Sequence, residues 1–345
     1  MIYRVLLDGQ DIYDTTKELS LISPSVNVAM NGGGSVEFTM PTCHTFYEQP
    51  RYMLSDIEVY EKNDLIWFGR ILDISLDMKL NKKINGEGAF AFFNDSIQRH
   101  NTITNSHVHD IFETLINIHN SQVPANRQFD IGDVNVDNDE AGAETNYETT
   151  KTLLENLRSS VGGYYFFRKE NGRNIIDWLS DLPETSTQPV QFGLNLVDLS
   201  QTYSGSDLFT SIIPLGKEID GEKVNVSSVN DGNDYIDTDL IDTFGRITKV
   251  VEFSEIESPT DLKLAAEKWL SNQHVGRVKI KCDAADLNYL NGEYTPLRIG
   301  KYVHVTSTPH HIDQILPLLE ISISLDSAVK KVSIGTPDDN KLSKL

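Results

Sequence analysis

A β-rich α+β fold is what this sequence predicts, on three observations. Apolar residues recur at every second position in segments toward both ends, three segments between them switch to helical spacing, and 22 Gly and 12 Pro punctuate the chain with turns. The clearest alternation is Ile66, Phe68, Leu72, Ile74, Leu76, Met78 and Leu80 on one side, with Gly69, Asp73, Ser75, Asp77, Lys79 and Asn81 on the other. A period of two gives a strand with one covered and one wet face. Ile57 and Val59 alternate likewise up to Glu61, Lys62, Asn63 and Asp64, a connection suited to an antiparallel hairpin. A sheet with one apolar side must close on itself or pack on another layer.

A chain of 345 residues is longer than one typical domain, so its core is expected to be divided. No segment approaches the roughly 20 consecutive apolar residues of a membrane-spanning helix, and apolar runs such as Ala89 to Phe93 are strand length. Met1 leads straight into a strand-like segment, and no secretion signal is read there. Two cysteines, Cys43 and Cys282, make neither a disulfide framework nor a zinc site and are expected to be free thiols. Lys plus Arg number 30 and Asp plus Glu 51, a net charge of −21. Such a surface repels nucleic acid, and no basic stripe with interleaved aromatics breaks it, so sequence-specific DNA or RNA binding is not expected.

In chain order, Met1 to Leu7 reads as a strand, followed by a turn at Asp8 to Asp11, short strands at Leu19 to Ile22 and Ser25 to Met30, a loop at Asn31 to Gly34, and a strand from Ser35 to Met40 ended by Pro41. From Asn105, Val108, Ile111, Phe112, Leu115 and Ile118 or His119 follow helical spacing, with Ser106 as N-cap and Asp110 in the first turn. A second helix starts at Thr150, buries Leu153, Leu154, Leu157 and Val161, and stops at Gly162. Tyr164 to Arg168 and Asn174 to Leu179 flank Asn171-Gly172, a strong hairpin signal. Leu182 to Pro189 reads as a linker. Strands return at Leu194 to Tyr203 and Thr210 to Leu215. A helix over Thr260 to Gln273 is capped by Ser258, with Pro259 first and Asp261 completing a capping box; it buries Leu262, Ala265, Ala266, Trp269 and Leu270. Strands at Arg277 to Cys282, Lys301 to Thr306 and Leu318 to Leu325 close the chain.

Several strings in this order resemble a known family. A glycine-rich turn before Thr39-Met40-Pro41, an Ile-Glu-Val-Tyr strand, Trp67-Phe68-Gly69-Arg70, a long strand, Gly86-Glu87-Gly88 and Phe92-Phe93-Asn94-Asp95-Ser96 look like the opening of prophage tail endopeptidases, or tail-associated lysins, whose structural region is similar to the baseplate hub of contractile phages. Arg298 to Val303 and Val332 to Gly335 look like that family's closing strands. The resemblance implies two barrel-like tube domains and two smaller α+β domains: residues 1–95 as the first tube domain, 96–189 as an α+β domain, 190–216 with 276–345 as the second tube domain, and 217–275 inserted into it. It also implies a homotrimeric ring at the tail tip, between the tail tube and the host-contacting parts. The ring continues the tube, adapts its symmetry to the tip and lets DNA pass. Its implied partners are the distal tail protein, the tape measure protein and other tail-tip proteins, its place is the virion after assembly in the bacterial cytoplasm, and no membrane insertion is expected. Relatives often run on into a peptidase, lysozyme or carbohydrate-binding region, whereas this chain stops at Leu345, so the enzymatic part of the family name is not carried over.

Individual candidate sites carry little chemistry. Asp133, Asn135, Asp137, Asp139 and Glu144 occupy positions 1, 3, 5, 7 and 12 of a calcium-loop pattern, but the sixth position holds Asn138 where that loop needs glycine and the eighth holds charged Glu140, so a solvated acidic loop is expected. On a helix His107 and His109 point apart, and His310 and His311 have only Asp313 near them, so surface roles are expected. Cys43 and His44, as strand neighbours, face opposite ways, and no GxSxG, HExxH or P-loop string occurs. Trp67, Phe68, Phe90, Phe92 and Phe93 are read as barrel core, a subset of them as subunit contacts. No catalytic residue and no cofactor is assigned. The expected role is structural, a tail-tip hub; a cell-wall peptidase and a carbohydrate-binding host-contact module are the alternatives.

Overall fold

The computed structural model describes residues 3–14, 19–202, 205, 208–219, 221–271, 279–288, 294–326 and 329–335. The chain forms two compact units, a larger one from Met1–Ser200 with Ile280–Gly335 and a smaller one built on Gln201–Lys279.

The larger unit opens with β1 (Tyr3–Leu7) and β2 (Gln10–Tyr13), then β3 (Ile22–Ala29), β4 (Gly34–Met40), β5 (Asp56–Glu61), β6 (Asp64–Leu76) and β7 (Lys82–Gly88). The turn between β3 and β4 needs glycine: Gly34 has φ +107°, and a Cβ there would stand 2.0 Å from the Asn27 carbonyl oxygen. Along β6 the expected one-sided alternation fails. Trp67, Phe68, Ile71 and the Arg70 guanidinium are all buried in succession, while Leu72, Leu76, Met78 and Leu80 are exposed. A bulge at Leu72, where the pairing steps from Ile71↔Gly86 to Asp73↔Asn85, divides the buried half of the strand from the exposed one. Arg70 is held in its buried place by Glu87 at 2.7 Å and by both carboxylate oxygens of Asp95.

Next come β8 (Asn101–His107), α1 (Val108–Gln122), β9 (Phe129–Val134), β10 (Glu140–Thr145), α2 (Thr150–Val161), β11 (Tyr164–Glu170) and β12 (Arg173–Leu179). Ser106 is not a cap, because residues 101–107 pair with β10 and α1 starts only after His107. For α2 the local signals suffice: Thr149 accepts the Thr152 N–H at 3.2 Å, and Gly162 ends the helix with φ +93°. β11 and β12 form the expected hairpin on Asn171-Gly172, both at positive φ, and β9 joins β12 in parallel. Residues 89–95 form a 3-10 helix rather than a strand. Its Phe90, Phe92 and Phe93 pack with Phe68, Phe112, Phe129, Tyr165 and Trp178 into the core of this helix-bearing region.

The segment read as a linker is part of the larger unit. β13 (Glu184–Thr185) and β14 (Val190–Gln191) each bond in parallel to the strand at 301–307, and the fully buried Gln188 accepts the Leu287 N–H at 2.9 Å. Two-residue pairings are too short to show a period. β15 (Leu196–Thr202) follows.

In the smaller unit, β16 (Ser211–Leu215) pairs in parallel with residues 248–252 and antiparallel with residues 236–237. The remaining elements in order are β17 (Glu218–Ile219), β18 (Glu222–Lys223), β19 (Ile236–Asp237), α3 (Ile241–Phe244), β20 (Thr248–Glu252) and α4 (Pro259–Ser271). α4 starts as its sequence predicts, with Ser258 Oγ accepting the Asp261 N–H at 3.5 Å and Pro259 in the first turn. It buries Leu262 and Ala266, and Trp269 stacks on Phe209 at 5.7 Å. The expected extension to Gln273, and the strand start at Arg277, lie outside the described residues.

The chain returns to the larger unit with β21 (Lys279–Ala285), β22 (Lys301–Ser307), β23 (Ile312–Ser324) and β24 (Val329–Ile334). One sheet path then runs β15-β21-β24-β23-β3-β4-β7-β6-β5-β1-β2, with β22 beside β23 and carrying β13 and β14. This path contains one arrangement twice. β6 is 13 residues long, pairs with β5 along its first half and with β7 along its second. β23 is also 13 residues long, pairs with β22 along its first half and with β24 along its second, and has its own bulge between Leu318 and Glu320. β4 lies outside β7 as β21 lies outside β24, and β3 and β15 are the next strands out.

Candidate functional site

The two copies of this arrangement superimpose residue by residue through their pairings. The bulges equate Leu72 with Leu319, so that Ile71-Leu72-Asp73-Ile74-Ser75-Leu76 stands opposite Leu318-Leu319-Glu320-Ile321-Ser322-Ile323. The partner strands agree, since Lys82, Lys83 and Ile84 occupy the places of Lys330, Lys331 and Val332. Burial follows the same correspondence in the shared inner positions: Ile57 and Val303, Val59 and Val305, and Ile71 and Leu318 are all fully buried. A direct comparison of ILDISL with LLEISI would have found this repeat in the sequence; a search for strand periodicity did not.

At one place the copies differ. Ile321 and Ile323 are 2% and 3% exposed, because β3 lies along that edge of β23 and sets Val28 beside Ile321 and Val26 beside Ile323. The equivalent Leu76 is 58% exposed, and among the described residues no strand lies along that edge of β6 past Ile71. There the segment 51–55 takes the last contacts, Met53 N–H to Ile71 O at 2.7 Å and Ile71 N–H to Ser55 O at 3.0 Å. Its Tyr52, Met53 and Leu54 are exposed too, and with Leu72, Leu76, fully exposed Met78 and Leu80 they leave an apolar surface. Exposed apolar residues beside an unpaired strand edge make this the candidate interaction surface.

A buried charge cluster ties the two copies of the arrangement together within the chain. Lys330, without solvent exposure, places its ammonium 2.5 Å from Asp286 and 3.1 Å from Glu61. Glu61, at the end of β5, also accepts the Tyr3 hydroxyl at 2.9 Å and meets Arg298. Burial pushes the Glu61 carboxyl above its usual range against the pull of Lys330, raises the Tyr3 hydroxyl, and lowers Arg298 to about 10, which leaves the guanidinium charged at neutral pH. Every charge in the cluster has a counter-charge within reach, which is the condition for burying it.

The residues weighed as sites from sequence are dispersed. Asp133 lies on β9, where its N–H donates to Asp177; Asn135 accepts the Ser180 N–H at 2.7 Å; Asp137 is exposed; the Asp139 carbonyl accepts the Val108 N–H; and Glu144 pairs on β10 with Thr102. The pattern is thus split between strands of two different sheets, and no group of three or more metal-type side chains converges among the described residues. His107 and His109 bond instead to the carbonyls of Asn138 and Val136, at 2.8 and 2.9 Å. His310 bonds to Ser307 at 2.7 Å, while Asp313 pairs with His304. His44 uses both ring nitrogens structurally, Nδ1 accepting the Phe46 N–H and Nε2 donating to the Ile12 carbonyl, so nothing is left to activate the exposed Cys43.

Comparison with known proteins places this architecture. Residues 183–334 match the family described as prophage endopeptidase tail. No curated protein sequence matches the chain. Among solved structures, the 43 kDa tail protein of prophage MuSo2 from Shewanella oneidensis is similar with a TM-score of 0.67 at 14% identity, covering 98% of this chain and 99% of that one. Prophage tail protein gp18 from Listeria monocytogenes gives 0.61 at 14% identity, covering 99% and 96%. The E. coli c3393 protein, a component of the type VI secretion system, gives 0.51 at 10% identity, covering 92% and 74%. The resemblance read along the sequence therefore stands: this chain carries the prophage endopeptidase tail family signature over residues 183–334 and the prophage tail-protein fold over nearly its whole length.

Proposed function

We propose that the chain is a structural hub of a phage or prophage tail tip, acting as a homotrimeric ring that continues the tail tube and lets DNA through. One observation carries this reading: the same strand arrangement occurs twice per chain, and its outer seam is covered in the second copy and bare in the first. A protein with two equivalent ring segments and one unfilled seam is built to be completed by copies of itself. Three chains then supply six equivalent segments, which can match a hexameric tube on one side and trimeric tip components on the other.

In this reading residues 1–95, and residues 190–216 with 276–345, supply the two tube-like barrel domains, while residues 96–189 and the inserted 217–275 lie outside the ring. The distal tail protein, the tape measure protein and other tail-tip proteins are the partners, at the tip of a virion assembled in the bacterial cytoplasm. The excess of 51 acidic over 30 basic residues favours a bore that does not hold passing DNA. Mass photometry and cryo-microscopy of the concentrated protein test the ring, which should hold three chains. Zymography on cell-wall material separates it from the activity named in the family's description: a cleared zone would replace the structural role with an enzymatic one.

A further inference from the structure

We propose that β15 of one copy adds as a strand to the bare edge of β6, at Leu72–Leu76, in the next copy. This rests on the ring reading above and names the surfaces that would build it.

The inference follows from the internal repeat. Within the chain, among the described residues, the sheet passes from one copy of the arrangement to the other through one strand pairing, β3 of the first lying along the second half of β23 in antiparallel register from Glu320↔Ala29 to Ser324↔Ser25. The residue equivalences turn this contact into a rule. The counterpart of β3 is β15, since each is the strand beyond β4 or β21. The counterpart of the receiving edge on β23 is Asp73–Leu76 of β6. Both counterparts are unoccupied by any strand among the described residues: β15 ends the sheet path, and β6 past Ile71 pairs only with β7.

Chemistry at both edges agrees. On β6 the side chains awaiting cover are Ile74 and Leu76, and their equivalents Ile321 and Ile323, with β3 alongside, are buried. On β15, Val197 is 63% exposed, and the Leu199 N–H is tied back to the Asp198 carboxylate at 2.9 Å. Neither edge carries proline or a bulge that would turn away an incoming strand past Leu72, although natural edges are usually blunted in such ways. Because the two surfaces differ, each copy offers one of each, and the contact is head to tail, which closes into a ring or propagates as a filament. Main-chain hydrogen bonds supply the adhesion and the Ile74 and Leu76 positions set the register.

Disulfide trapping of the full chain tests this. In a Cys43→Ser background, Ser75→Cys is combined in turn with cysteine at Val197, Asp198, Leu199 or Ser200, and the concentrated protein is oxidised. Strand docking predicts reducible interchain species at one β15 position, or at two positions two residues apart on the same face, where Cβ atoms meet within about 3.5–4.5 Å, and none from Ser75→Cys alone. Leu76→Asp, at an exposed site, should keep the melting temperature and raise the dissociation constant at least tenfold. A trimer that forms normally, gives no cross-link at any of the four positions and ignores Leu76→Asp would overturn strand docking while leaving the ring intact. Protein that stays monomeric at every concentration would overturn the ring reading, and this inference with it.

Discussion

Replacing Lys330 by methionine removes the one ammonium that Asp286 and Glu61 share. Methionine fits the space of the aliphatic stem, so the loss is electrostatic. Both carboxylates are buried, at 0% and 2% side-chain exposure, and Asp286 then keeps only the Asn288 N–H at 3.1 Å among its described bonds, whereas Glu61 keeps Tyr3 and Arg298. Stranding a buried charge in this way costs about 3–5 kcal/mol, or roughly 10 °C in melting temperature for a unit of this size. Urea unfolding followed by tryptophan fluorescence measures it, with the slope of the transition unchanged. Adding Asp286→Asn should recover a large part of the loss, because the stranded charge goes with it. A loss under about 1 kcal/mol for Lys330→Met alone, or no recovery in the double variant, would refute the view that this cluster clamps the two ends of the larger unit.

Three further outcomes follow from the same coordinates. Gly32→Val should cost more than about 2 kcal/mol, since a Cβ at φ +71° would sit 2.1 Å from the Phe167 ring, while Gly172→Ala, with open space around it, should cost about 1 kcal/mol or less; thermal melts compare them. Burial holds the His119 imidazole below its usual pKa, bonded to Ser96 at 2.7 Å and the Arg127 carbonyl at 3.0 Å. The unfolded chain therefore binds the extra proton first. Stability due to this residue is full above pH about 6.5 and falls as pH drops through it, by at most about 1.4 kcal/mol per pH unit, a slope that His119→Gln should abolish. A thiol reagent should label the exposed Cys43 quickly and Cys282 only on unfolding, because burial pushes the Cys282 thiol up to about 12; equal rates would contradict its placement in β21.

Much of the fold was legible where the signal is local. The α2 start at Thr150 and its stop at Gly162, the Asn171-Gly172 hairpin and the Ser258-Pro259 start of α4 each depend on a few neighbouring residues, and each stands as read. What was not legible depends on partners far along the chain. The face of β6 departs from simple alternation because the bulge at Leu72 shifts its register and because Phe68 packs with Phe90, Phe92 and Phe93 of the 3-10 turn, with Arg70 over the Phe92 ring. The stretch at 182–189 looked like a linker because its strand pairings are two residues long. The candidate interface was half visible: Leu72, Leu76, Met78 and Leu80 were read as a covered face, and in the isolated chain they are bare. Alternation reports that a face is meant to be covered, not by which chain.

The most direct test of the whole account is a three-dimensional reconstruction of the assembled protein at near-atomic resolution. The account predicts three chains around an open bore, with six equivalent strand arrangements and Leu76 buried at every junction between neighbours. A particle in which Leu76 remains at the solvent, or in which identical patches meet face to face in a two-fold dimer, would contradict it.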